Sequence, residues 1–117
     1  MDSILTSIKK LLGIEESYTH FDTDIIIGIN TVLSILSQLG VGEKSFSIED
    51  KNAEWKDFLP DMSNLELVKS YIHMKVKLMF DPPQSSAVIE VMNKQISELE
   101  WRINELVDPG KEETINE

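Results

Sequence analysis

From Ser63 to Leu106 apolar residues recur at helical spacing in two runs separated by Asp81-Pro82-Pro83, a pattern that predicts two long helices folded back on each other. In the first run, at about 100° per residue, Leu65, Val68, Ile72, Val76 and Met79 share one face. Leu67, Tyr71, Met74 and Leu78 share a second face turned well away from the first. Ser63 and Glu66 have the S-x-x-E spacing of a capping box, with Met62 and Leu67 placed as a hydrophobic staple. A helix apolar on two faces must be covered twice. The interior of one small domain is expected to supply one cover, and a neighbouring subunit or partner protein the other. The run stops at Asp81, because a residue before proline is pushed out of the helical region and two successive prolines forbid simple continuation. A second helix restarts at Ser85 or Ser86, either of which can cap it. Along it Val88, Met92, Ile96, Leu99, Ile103 and Leu106 form one narrow seam. Trp101 falls almost opposite that seam and is a candidate contact with another chain; the alternative is a tryptophan lying on the stems of neighbouring long side chains.

The chain before this hairpin reads as shorter elements. Residues 2 to 12 predict an amphipathic helix that begins at Asp2 or Ser3, carries Ile4, Leu5, Ile8, Leu11 and Leu12 on one side, and stops at Gly13. A linker from Ile14 to His20 leads to Phe21-Asp22, where Asp22 can cap a helix running to about Leu39 and Phe21 can staple onto Ile26. Ile25, Ile26, Ile29, Val32, Leu33, Leu36 and Leu39 give that helix a broad apolar stripe, and Gly40 and Gly42 end it. A strand over DIIIGI is the rival reading, disfavoured because the apolar repeat runs on too long. Between Val41 and Asp50, Phe46 and Ile48 alternate with polar residues as a short extended segment would, either pairing with another chain or covering the core. A helical turn or two follows from Lys51 to Leu59, with Trp55 and Phe58, and ends at Pro60. After Val107 the sequence DPGKEETINE has no periodic apolar face and predicts a flexible tail that orders on binding.

These elements predict an all-α fold: a small helical bundle built on a long antiparallel hairpin, with a short N-terminal helix, an irregular loop around residues 40–50 and a flexible C-terminal tail. The expected division is one domain over 1–107 and an acidic tail over 108–117. A chain of 117 residues can bury one core but not two independent ones.

Charge and composition narrow the function. The net charge is −10, with eleven basic residues against twenty-one acidic ones and neither half of the chain basic, which argues against binding to nucleic acid. From Glu66 to Ser97 four lysines, among them Lys75 and Lys77, face three acids, whereas from Glu98 onward seven acids face Arg102 and Lys111. That asymmetry allows the acidic end of one subunit to meet the lysine-bearing helix of another, head to tail; a solvated surface with incidental bias is the plainer account. No apolar run is long enough for a membrane span, and a signal-peptide pattern is absent at the start. The chain lacks cysteine, which removes disulfides, thiolate nucleophiles and cysteine zinc sites and agrees with a reducing compartment.

No arrangement of residues carries obvious catalytic chemistry, and neither cofactor nor metal is expected. His20, Asp22 and Asp24 have the look of metal ligands, but acids at a helix start are ordinarily caps. His73 lies among lysines without an acid at helical spacing, and Ser85-Ser86 has no base partner. Glu98, Glu100 and Glu105 prompt comparison with all-α pyrophosphatases, yet the matching acidic set on a second helix is missing, so solvated helix charges are the better reading.

The strings W-K-D-F-L at Trp55 to Leu59, V-K-S-Y-I-H-M-K-V-K-L-M-F-D-P-P at Val68 to Pro83 and E-L-E-W-R-I-N at Glu98 to Asn104 resemble the head-tail connector, or adaptor, proteins of long-tailed bacteriophages and prophages. The opening S-I-L-T-S-I-K-K-L-L-G-I is similar to that family's first helix. The resemblance implies a structural virion protein, made in the bacterial cytoplasm, that forms a ring matching the portal's twelvefold symmetry. Such a ring extends the DNA channel, binds no DNA specifically, and offers a platform to a stopper or tail-completion protein. It further implies that the C-terminal segment docks on the portal, a role falling here on Val107, Asp108, Pro109, Gly110 and Ile115. Candidate subunit or partner contacts are Leu67, Tyr71, Met74, Leu78, Lys75, Lys77, Trp101 and Arg102, carried on a hairpin whose ends are set by Ser63, Glu66, Asp81, Pro82 and Pro83. The alternative is a small helical regulator, without catalytic activity, that binds one protein partner through the Leu67 to Leu78 face.

Overall fold

The computed structural model describes residues 2–107, so the acidic tail expected after Val107 lies outside the described residues. Five helices follow in order: α1 (Ile4–Leu11), α2 (Asp22–Gln38), α3 (Trp55–Phe58), α4 (Leu65–Phe80) and α5 (Ser86–Val107), with no strand among the described residues. α4 is the centre, packed against α1, α2 and α5. Val68, Ile72 and Val76 on its first face join Ile25, Ile29, Val32, Leu33 and Leu36 of α2 in one core. The two helices approach so closely that a Cβ on Gly28 would stand 3.6 Å from a methyl of Val76.

The second face of α4 is covered from within the chain, contrary to the expectation of an outside partner. Tyr71 is 0% exposed, while Leu67, Met74 and Leu78 are partly buried against the same core. The cover is α5, turned back by the proline pair so that Ile96 and Ile103 are buried and Leu99 packs beside them. Covering an apolar stripe with an element already tethered to it avoids the association entropy a separate partner must overcome.

The ends of the hairpin are made differently from the two signals read in the sequence. The Ser63–Glu66 capping box does not form: α4 begins at Leu65, and its N-cap is Asn64 in the left-handed region (φ 59°) without a side-chain cap bond. The Ser63 N–H donates instead to Asp61 Oδ1 at 2.9 Å, and Met62, at φ 57°, donates to the Leu59 carbonyl at 2.9 Å. A local turn after Pro60 has thus taken the Ser63 N–H that the capping box needed. At the other end α4 stops at Phe80 as expected, with the Asp81 N–H closing on the Lys77 carbonyl at 2.9 Å. Ser85 starts α5, its carbonyl accepting from Ile89 at 3.1 Å and its Oγ from Val88 at 3.4 Å.

α1 begins at Ser3, whose Oγ accepts the Thr6 N–H at 3.2 Å, and the chain leaves it through Gly13 at φ 81°. Within α1, Lys9 is only 2% exposed. Its ammonium donates to the carbonyls of Tyr18 at 2.7 Å and Glu16 at 3.0 Å, and Asp22 Oδ1 lies 2.8 Å away as a charge contact rather than an aligned hydrogen bond. This arrangement corrects the expected cap of α2: Asp22 is its first residue and faces Lys9, while the N-cap is Phe21, with no side-chain bond. A buried ammonium without a partner would cost several kcal/mol, so the carboxylate serves it rather than the helix end. Phe21 meets Phe80 edge-on, ring centroids 5.2 Å apart, and ties the start of α2 to the end of α4.

The segment expected to extend between Val41 and Asp50 has buried Ile48 as its anchor and pairs with a side chain rather than a strand. Asn30 on α2 accepts the Ile48 N–H at 2.8 Å and donates to its carbonyl at 3.0 Å. α3 is shorter than the residue 51–59 turn read in the sequence, yet Trp55 and Phe58 are both fully buried and Trp55 Nε1 donates to Ser7 Oγ at 3.0 Å. Gly42, at φ 73°, passes so near Phe58 that a Cβ would lie 2.5 Å from its ring. Replacing Asn30 with Ala leaves both backbone groups of Ile48 without this partner. We expect a loss of about 2 kcal/mol in denaturant unfolding, with faster amide exchange at Ile48. Unchanged exchange there would show that the side-chain pairing does not hold the loop.

Candidate assembly surface

With α5 laid over α4, the residues expected to share one contact surface separate into different environments. Tyr71 is removed from it: a fully buried ring cannot present itself to a neighbour, and its hydroxyl donates to Glu100 Oε2 on α5 at 2.6 Å. Burial first, and then the Glu100 carboxylate, push the Tyr71 phenol well above its ordinary value, so it remains a donor at any pH the fold meets. Lys75 extends over the Tyr71 ring, its ammonium 5.9 Å from the centroid. Lys77 closes the last turn of α4 on Asp81 at 3.0 Å. Arg102 reaches back one turn to Glu98 at 2.8 Å, an exposed pair that contributes little to stability. Trp101 stands largely free, 63% exposed on the outer face of α5.

A second exposed site was missing from the sequence reading. Ile27 on α2 is 61% exposed and Met79 near the end of α4 is 47% exposed. Together with Phe21, Gly28 and Phe80 they line a surface groove of about 510 Å³, with Asp24 and Thr31 on its rim. The angular test that singled out Trp101 also finds Ile27, which lies about 200° round the helix from Ile25 and hence opposite the buried stripe. It was hidden by its neighbours, because three consecutive isoleucines look like one apolar block. The seam of α5 is likewise uneven: Ile96 and Ile103 are buried, Met92 and Leu99 partly so, and Val88 and Leu106 are exposed.

Three of the carboxylates that invited a catalytic or metal reading have structural partners. Asp22 is engaged by Lys9, Glu100 by Tyr71 and Glu98 by Arg102. Among the described residues no three His, Cys, Asp or Glu side chains gather as a metal site would require, and no helix is long and apolar enough to cross a membrane. What the surface offers is exposed apolar side chains fixed on rigid helices. The family model described as phage connector protein matches residues 4–109, a span that includes all five helices. The chain belongs to the phage connector proteins. Comparison with curated proteins and with solved structures returns no match. Membership makes this connector a structural component of the phage particle that assembles with head and tail parts.

Two tests address the groups that hold the connector's outer helix and its central one. Tyr71→Phe removes a donor to a carboxylate and should destabilise the fold by about 2 kcal/mol in denaturant unfolding, while Glu100→Gln, which keeps an acceptor, should cost less. Equal losses in the two variants would discount the charged bond. The second test is pH. Burial first and Lys77 second hold the His73 imidazole below its ordinary 6.5, against a smaller opposing pull from the Leu11 carbonyl. The folded state therefore binds fewer protons than the unfolded state below that value, so stability is complete above about 6.5 and falls as pH drops through the lower folded value. His73→Gln should flatten this slope below about pH 6.5; a slope unchanged in the variant would assign it elsewhere.

Proposed function

We propose that this connector acts as a head-tail adaptor: copies assemble as a ring on the portal, twelve in the virion, extend the DNA channel and receive the stopper or tail-completion protein. The family match over residues 4–109 carries this reading. The exposed tryptophan supports it, since large aromatics on rigid elements are favoured anchors of protein contacts. The net charge of −10 suits a channel component, because like charges keep DNA from adhering during passage. In this reading Val107, which is exposed, and the tail residues Asp108, Pro109, Gly110 and Ile115 dock on the portal, and no catalysis is involved. The rival reading, a regulator binding through the second face of α4, loses much of its surface to α5, since Tyr71 is buried and its companions are partly covered.

Native mass measurement of the connector with and without portal particles from the same phage tests the proposal directly. Co-assembly in a ring is expected, and a chain that stays monomeric and never joins the portal at any concentration would refute it. Trp101→Ala should weaken assembly by about tenfold or more while moving the melting temperature of the single chain by less than about 2 °C. A large loss of monomer stability would place Trp101 in the core instead. Deleting residues 108–117 should leave the melting temperature unchanged and impair portal attachment; attachment at full strength would remove the tail from the mechanism.

A further inference from the structure

Two exposed apolar features on this molecule, one convex and one concave, lie on different elements of the fold. One is convex: Trp101, 63% exposed, on the outer face of α5. The other is concave: the groove between α2 and α4, lined by Ile27, Met79, Phe80 and Phe21, with Gly28 at its base. The groove lies at the turn end of the hairpin, whereas Trp101 follows Ser86 by fifteen residues, roughly 22 Å along the α5 axis at 1.5 Å per residue. Charge follows the same pairing. Arg102, next to Trp101, is held only by an exposed contact to Glu98, and Asp24 on the groove rim forms no ion pair among the described residues.

We propose that Trp101 of one copy seats in the Ile27–Met79 groove of the next, with Arg102 facing Asp24, as the repeating contact of the ring. The proposal rests on the adaptor reading and specifies the surfaces it uses. Because knob and groove are different surfaces of one chain, the contact is heterologous and continues from copy to copy until it closes. It is also small. A tryptophan buries about 150–250 Å², well below the roughly 800 Å² per partner of a stable interface, so copies should associate weakly alone and accumulate where a portal holds them side by side.

Absence of native cysteine makes a direct test available. Thr31→Cys places a thiol on the groove rim, and Ser97→Cys places one a helical turn from Trp101 on the same face; both positions are exposed and neither replaces an anchor. The full chain carrying both substitutions is treated with a bismaleimide at high concentration and on portal particles from the same phage. A ladder extending past the dimer is expected from the double variant, and none from either single variant. Adding Arg102→Glu should reduce the ladder about tenfold, and Asp24→Lys in the same chain should restore it. A ladder that stops at the dimer, or cross-linking of the Ser97→Cys variant to itself, would replace this contact with a two-fold one. Copies that load on the portal as a ring yet give no ladder overturn the contact and leave the adaptor reading intact, whereas failure to load at all overturns both.

Discussion

α4 is apolar on two faces, and the rest of the chain is arranged around the need to cover both. α2 takes one face and α5 the other, with α1 closing the remaining side. Because α5 spends its narrow seam on α4, its back is necessarily turned outward, and Trp101 sits on that back. The tyrosine–carboxylate bond between Tyr71 and Glu100 fixes the relation further: at 2.6 Å, to a charged acceptor, it sets the sliding register of α5 along α4 where apolar packing alone would tolerate small shifts. The direction in which the connector's outer helix presents its aromatic is thus a consequence of how its central helix is buried.

Three side chains do for the irregular segments what a sheet would do in another fold. Lys9 gathers the linker before α2 through the Glu16 and Tyr18 carbonyls and meets Asp22. Asn30 satisfies both backbone groups of Ile48 and so anchors the loop between α2 and α3. Ser7 receives the buried indole N–H of Trp55, the one polar atom of a side chain otherwise committed to the core. Each is a buried or partly buried polar contact between different segments, where leaving either partner unpaired costs more than the bond itself contributes. The helices supply the core, and these contacts hold the connecting segments against it.

This division explains what could be read from the sequence. Helix positions were legible because periodicity, proline and glycine act locally: the Asp81-Pro82-Pro83 break, the Gly13 stop and the stripe of α2 all stand where the pattern put them. Choices between local and distant partners were not. Asp22 is an acceptable cap by spacing, yet a lysine thirteen residues earlier claims it; Ser63 has the right neighbour in Glu66, yet Asp61 takes its N–H. The same limit misassigned Tyr71. A second apolar face says that something must cover it, and spacing alone does not say whether the cover comes from another chain or from a later helix of the same one. Trp101 and Ile27 lie opposite well-defined stripes, and for such positions the angular argument needs no distant information.

Isolated exposed anchors, as opposed to one continuous apolar face, have a consequence for assembly. A broad apolar face would drive copies together wherever they met, including before a template is present. Here Trp101 and the Ile27–Met79 pair lie on different helices, and a chain of charge −10 repels its own copies at a distance set by the ionic strength. In the proposed ring each subunit uses both its knob and its groove and so takes part in two contacts, whereas in an open dimer each takes part in one. Closure, together with a template that raises local concentration, converts a contact too small to hold a free dimer into one that holds a ring. The weak, heterologous and charge-opposed character of the surface therefore favours assembly in place over assembly in solution.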